Sequence, residues 1–170
     1  DQVLKASLSE SRGLPRVLAI LDRWVERTVL EASAGCLWVS CASEYDDRPG
    51  AVRDELVEMI QRWRRELERA ILQARDEGHL RDECDPGDLI FDLNGVILAL
   101  HHDTRLMRSN DAAARARRAI DRLIAHSRGA SAPKVSMQGL AQRRHALSSP
   151  ETGQHFPTRH RGQHLMTNAR

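Results

Sequence analysis

Apolar residues recur three and four apart over residues 14–32: Leu14, Val17, Leu18, Leu21, Trp24, Val25, Thr28, Val29 and Ala32. That spacing is the period of a helix with one buried face. Gly13 and Pro15 punctuate its start, proline being tolerated in a first turn. Residues 1–9 read as the tail of a preceding helix whose beginning is missing. Residues 36–42 are apolar almost throughout. Periodicity alone does not separate a buried strand from a buried helix here. No second strand candidate exists to pair its backbone groups, so a short buried helix is expected.

The strongest helical pattern covers residues 50–77. Val52, Leu56, Met59, Ile60, Trp63, Leu67, Ala70, Ile71 and Ala74 trace one stripe, and Arg53, Glu58, Arg62, Arg65, Glu66 and Arg69 take the other face. Unbroken, this helix would be roughly 40 Å long at ~1.5 Å per residue. Gly78 is placed to end it in a left-handed cap. Asp85 and Pro86 then open a further helix as N-cap and first-turn residue. Its apolar positions, Leu89, Ile90, Phe91, Leu93, Val96, Ile97, Leu98, Ala99 and Leu100, nearly encircle it, so it should be covered on more than one side. Gly95 and Ala99, small and four apart, would let another helix approach closely. Asn110 and Asp111 cap a final helix to about residue 126, with a narrow stripe of Ala112, Ala116, Ala119, Ile120, Leu123 and Ile124.

These elements predict an all-α bundle of about five helices plus the remnant of an earlier one. Two regions are expected: one domain over residues 1–128, and a disordered basic tail over 129–170, where the pattern stops. A length of 170 residues suits one domain with a proper core. The net charge of +2 is unevenly spread, because residues 129–170 carry six Lys or Arg against the single acid Glu151. The body is therefore mildly acidic, which argues against a nucleic-acid-binding surface there. Cys36, Cys41 and Cys84 form no C-x-x-C pair, so reduced, buried thiols are expected rather than disulfides or a zinc site. No apolar run approaches the ~18 residues of a membrane span and no signal-peptide pattern opens the chain. A cytoplasmic protein without membrane contact is the expectation. The first methionine is Met59 and the chain opens on Asp1, so a fragment or processed chain is expected.

Three segments carry a resemblance. Gly35-Cys36-Leu37-Trp38-Val39 leads into Tyr45-Asp46-Asp47-Arg48-Pro49-Gly50-Ala51-Val52-Arg53-Asp54, and Gly78-His79-Leu80-Arg81 precedes Asp85-Pro86. With the order of the helices, they make residues 1–126 similar to the C-terminal domain of TetR-family transcriptional regulators. The resemblance implies an effector pocket among the middle helices. It implies a homodimer in which the last two long helices pair with those of a second subunit in a four-helix bundle. It also implies DNA binding through an N-terminal helix-turn-helix domain, for which there is no room before Leu14. The function it implies is an effector-sensing and dimerisation domain of a repressor, taking a small, largely apolar ligand that modulates DNA binding of the intact regulator. The competing class is a stand-alone helical dimerisation module that senses nothing.

For the ligand, Trp24, Trp38, Tyr45, Trp63 and Phe91 offer an apolar lining, with Asn94 and His101 as polar anchors. For the dimer, Phe91, Gly95, Ala99, His102, Ala116, Ile120 and Leu123 are the expected contacts. His101-His102-Asp103 does not read as a metal site: adjacent helical residues point about 100° apart, and Ile97, Leu98, Arg105 and Leu106 stand at the neighbouring positions. The tail histidines, His145, His155, His160 and His164, are too loosely spaced for a built site. The tail's Arg143-Arg144 and Arg159-His160-Arg161 could meet nucleic-acid phosphates without sequence preference. There is no G-x-S-x-G, phosphate loop, G-x-G-x-x-G or H-E-x-x-H, so neither an enzyme nor a cofactor is expected.

Overall fold

Six helices are present in the computed structural model, which describes residues 9–31 and 37–148. They are α1 (Leu14–Leu30), α2 (Leu37–Tyr45), α3 (Ala51–Asp76), α4 (Pro86–Arg105), α5 (Ala112–Ser127) and α6 (Met137–Ser148). Among the described residues the only β pairing is a single antiparallel bridge, Leu80 to Arg128. Cys36, residues 1–8 and the tail histidines His155, His160 and His164 lie outside the described residues, as does the Arg159–Arg161 cluster.

The helix ends follow local chemistry. Asp85 adopts extended backbone and its carboxylate accepts the Asp88 N–H at 3.0 Å, with Pro86 in the first turn. That is an N-cap satisfying one of the free donors of a helix start. Gly78 ends α3 at φ 68°. Asp111 sits at the N-cap position of α5, but its carboxylate makes no capping bond. It accepts instead from Ser109 Oγ and Arg115 Nε, both at 2.8 Å.

α1 is the central element, in contact with α3, α4, α5 and α6. Leu14, Val17, Leu18, Leu21 and Val25 are fully buried. They meet Leu67, Ile71 and Ala74 of α3, Leu93, Ile97 and Leu100 of α4, and Ile120 and Ile124 of α5 in one apolar cluster. An ion pair crosses this core. Asp22 of α1, with no exposed surface, accepts from Arg117 Nε of α5 at 2.8 Å. Burial lowers the Arg117 pKa below its ordinary value, while the negative charge of Glu26 works against that shift.

Two expectations are corrected. Residues 129–148 are not a patternless tail. Ser136 accepts the Gly139 N–H at 3.1 Å, Asp121 of α5 accepts the Met137 N–H at 2.8 Å, and α6 follows. Its Met137 and Leu140 are buried against α1 and α5. The Arg128 guanidinium holds the connecting loop by donating to the carbonyls of Pro133 and Val135. Residues 37–42 are helical, within α2, but Trp38, Val39, Cys41 and Ala42 are only half-buried: the helix leans on α3 and exposes Ser40, Ser43 and Glu44. Within the single chain, α4 buries one side, through its own Leu89, Ile90, Leu93, Ile97 and Leu100. Its opposite side stays uncovered in the single chain, Phe91 being 74% exposed and Leu98 46%.

A backbone clasp ties the two hairpin ends together at the α1 entry. The N–H groups of Arg81, Gly129 and Ser131 donate to the carbonyls of Ser127, His79 and Gly78, at 3.0, 3.0 and 3.3 Å. This fixes one end of the bundle. The far end holds the aromatic and polar residues described next.

Candidate functional site

Trp24 of α1 and Trp63 of α3 meet edge to face, with ring centroids 5.0 Å apart and planes at 72°. Both are partly buried against the apolar cluster. The contact is of the kind aromatic quadrupoles favour. Thr28, one turn on from Trp24, donates its hydroxyl to the Trp24 carbonyl at 2.9 Å and is silenced by that bond. The indole Nε1 of Trp63 is buried without a hydrogen-bond partner, and so are His101 Nε2 and Thr104 Oγ1 on α4. Burial, with the positive charge of Arg105 and the neighbouring His102, lowers the His101 pKa. The imidazole is therefore neutral at physiological pH.

The remaining expected ligand residues divide. Asn94 and His101 stand half-buried on α4, and Trp38 and Tyr45 are half-buried on α2, which lies against α3. The Tyr45 ring faces outward enough to carry the Arg48 guanidinium 5.8 Å from its centroid. Phe91 does not belong with them. It lies on the opposite side of α4 from Leu89, Leu93 and Ile97, and cannot line a cavity shared with Trp24 and Trp63.

The second feature is the outward face of α4 and α5. Phe91, Gly95, Leu98, Ala99 and His102 are exposed and recur at helical spacing. Beside them an open groove of about 500 Å³ is lined by Asp92, Gly95, Val96, Ala99, Ala119, Arg122, Leu123 and His126. Of the expected dimer residues, Phe91, Gly95, Ala99, His102 and Leu123 are on this face. Ala116 and Ile120 are not: they are 5% and 0% exposed, and fill the chain's own core. The expected α5 stripe divides: Ala112, Ala116, Ile120 and Ile124 face the core, while Ala119 and Leu123, with His126, border the groove. Asp92 and Arg122 were missed because charged residues were assigned to solvent. Thr104 was missed because its hydroxyl hides its place in the row Leu93, Ile97, Leu100, Thr104.

Among the described residues no group of three or more His, Cys, Asp or Glu is arranged to hold a metal ion. No helix there is long and apolar enough to cross a membrane. Among comparisons with known proteins, a family model described as Tetracyclin repressor-like, C-terminal domain, matches residues 13–120. The chain belongs to this family. A search of curated proteins found no match. The TetR-type match begins at the glycine before α1 and ends within α5, at the last turns of the helix that borders the groove. The loop after α5 and all of α6 lie beyond it. Membership makes the chain a regulator's C-terminal domain, of the general kind that binds effectors and dimerises. Such regulatory domains are not typically enzymatic.

Proposed function

We propose that this TetR-type domain is the dimerising, effector-sensing part of a transcriptional repressor. The observation that carries the reading is the uncovered apolar face of α4, with Phe91, Leu98, Gly95 and Ala99 beside the α4–α5 groove. A contiguous apolar face of this kind is unusual on a monomer. A second copy related by a twofold axis would cover it with the same face of its own, since an isologous contact needs one self-complementary patch. Asp92 and Arg122 flank the groove on different helices and give its rim charges of both signs.

The effector is a small, largely apolar molecule bound at the far end of the bundle, near Trp24 and Trp63. Its binding favours one of two arrangements of the domain pair. In the intact regulator that choice sets the spacing of two helix-turn-helix heads, and with it operator affinity. DNA contact belongs to those heads and to none of the residues described above. The reading involves no bond made or broken and no cofactor. The mutual contact of Trp24 and Trp63 favours a second reading, a helical dimerisation module that senses no ligand.

Sedimentation of the full chain tests the first part. A dimer is expected at micromolar concentration, and Ala99→Arg should give a folded monomer because a guanidinium cannot be buried unpaired at the axis. A wild-type monomer, or an undiminished dimer in the variant, overturns the assignment of the interface.

A further inference from the structure

α3 and α4 are joined by residues 77–85 and pack against each other, so they run antiparallel. Trp63 stands thirteen residues before the end of α3, and His101 and Thr104 stand fifteen and eighteen residues after the start of α4. At ~1.5 Å per residue these are roughly 20, 22 and 27 Å from the same turn. The three therefore occupy neighbouring levels at the far end of the bundle. His101 and Thr104 are one turn apart and share a face. That face continues the buried row Leu93, Ile97 and Leu100 toward α1 and α3. Each contributes a buried polar atom without a partner: Trp63 Nε1, His101 Nε2 and Thr104 Oγ1.

Their chemistry is narrow. An indole N–H only donates, a hydroxyl donates or accepts, and a neutral imidazole offers one nitrogen of either kind. None carries a full charge when the imidazole is neutral. A buried polar group left unpaired lowers stability, so three at neighbouring levels of a native bundle need an account. We propose that Trp63, His101 and Thr104 form the polar wall of a binding site for an uncharged, flat apolar molecule bearing hydrogen-bond acceptors, such as a cyclic ketone or lactone. The indole and hydroxyl donate to the acceptor atoms, and the imidazole, with its ring tautomer set by the ligand, completes the set. The indole pair of Trp24 and Trp63 supplies the apolar wall, which favours flat rings. The proposal rests on the reading of this domain as an effector-binding one, and adds what the effector must carry.

A matched probe pair tests it on the full chain. 1-Indanone and indane share a ring skeleton and differ by one carbonyl. Titration calorimetry should show 1-indanone binding about tenfold more tightly, the advantage of a well-made buried hydrogen bond. Thr104→Val and Trp63→Phe should each remove most of that advantage. A ligand-free readout accompanies these. Thr104→Val keeps the shape and deletes an unpaired hydroxyl, so it should raise the melting temperature by roughly 2–6 °C. Equal affinity for the two probes overturns the polar wall and leaves an apolar pocket standing. Failure of both probes to bind up to their solubility overturns the inference together with the effector reading beneath it. A lowered melting temperature for Thr104→Val overturns it too, by showing that the hydroxyl is already bonded in the free protein.

Discussion

The His79 imidazole occupies the space that a side chain on Gly13 would need. A Cβ built on Gly13 overlaps the ring at Nδ1 and lies 2.8 Å from Cε1, and the glycine itself sits at φ 83°. The same Nδ1 accepts the Leu14 N–H at 3.2 Å, one of the donors that the first turn of α1 leaves without a helical partner. With Nδ1 accepting, the ring proton is on Nε2. The start of α1 and the end of α3 are thus fitted to each other across 65 residues of sequence.

Gly13→Ala should therefore cost about 2–4 kcal/mol, from the positive φ and the overlap together. With His79→Ala also present the overlap is gone, and the same substitution should cost only about 1 kcal/mol. A double-mutant cycle in urea measures the difference. Additive costs would show that ring and glycine do not oppose each other.

Arg117→Met should cost about 3–5 kcal/mol, because it takes a cationic partner from the fully buried Asp22 carboxylate. Asp22→Leu combined with Arg117→Met should recover most of that loss, since an apolar pair needs no compensating charge. If the double variant is as unstable as the single one, then packing around the guanidinium stem, and not its charge, is what matters.

Met137→Ala should destabilise the chain by about 2–5 kcal/mol, because Met137 is fully buried against the core. Gln138→Ala, at an exposed neighbouring position, should stay within about 0.5 kcal/mol. Denaturant midpoints separate the two, and equal effects would count against α6 as part of the fold. Ending the chain after Arg128 should likewise lower the midpoint.

Much of this bundle was legible in the sequence because its signals are local. The Leu14–Val25 stripe, the Asp85 cap and the Gly78 turn each depend on residues within a few positions of one another. α6 was invisible for the opposite reason. Among its described side chains only Met137 and Leu140 are buried, and the carboxylate that receives its first N–H belongs to Asp121, sixteen residues away. The two faces of α4 posed a different problem. Phe91 and Leu93 are equally apolar, and hydrophobicity alone cannot tell which one the chain buries in itself. Of the expected ligand residues, Trp24 and Trp63 are together. Trp38 and Tyr45 stand on a separate helix, and Phe91 faces away.

Acid should weaken the fold partly through His101. Its folded-state pKa lies below the ordinary value, so the unfolded chain binds the proton more readily. Stability is then fully present above about pH 6.5 and is lost as pH falls through that value toward the lowered folded-state pKa. Thermal unfolding between pH 7.5 and 5 should show a smaller acid-induced drop for His101→Gln than for the unaltered chain. An equal drop would mean that other groups carry the acid response.

The clasp between residues 78–81 and 127–131 is made of main-chain atoms: each of its three bonds joins one peptide group to another. Its tolerance of mutation should therefore be sharply uneven. Position 129 admits only glycine, because a Cβ there would run into the Gly78 carbonyl and lie 3.0 Å from that of Leu80. The Arg81 side chain is exposed, so exchanging it leaves the bonds in place. In a saturation library scored for folding, Gly129 should accept no substitute and Gly78, at φ 68°, few, while Arg81, three residues after Gly78, accepts many.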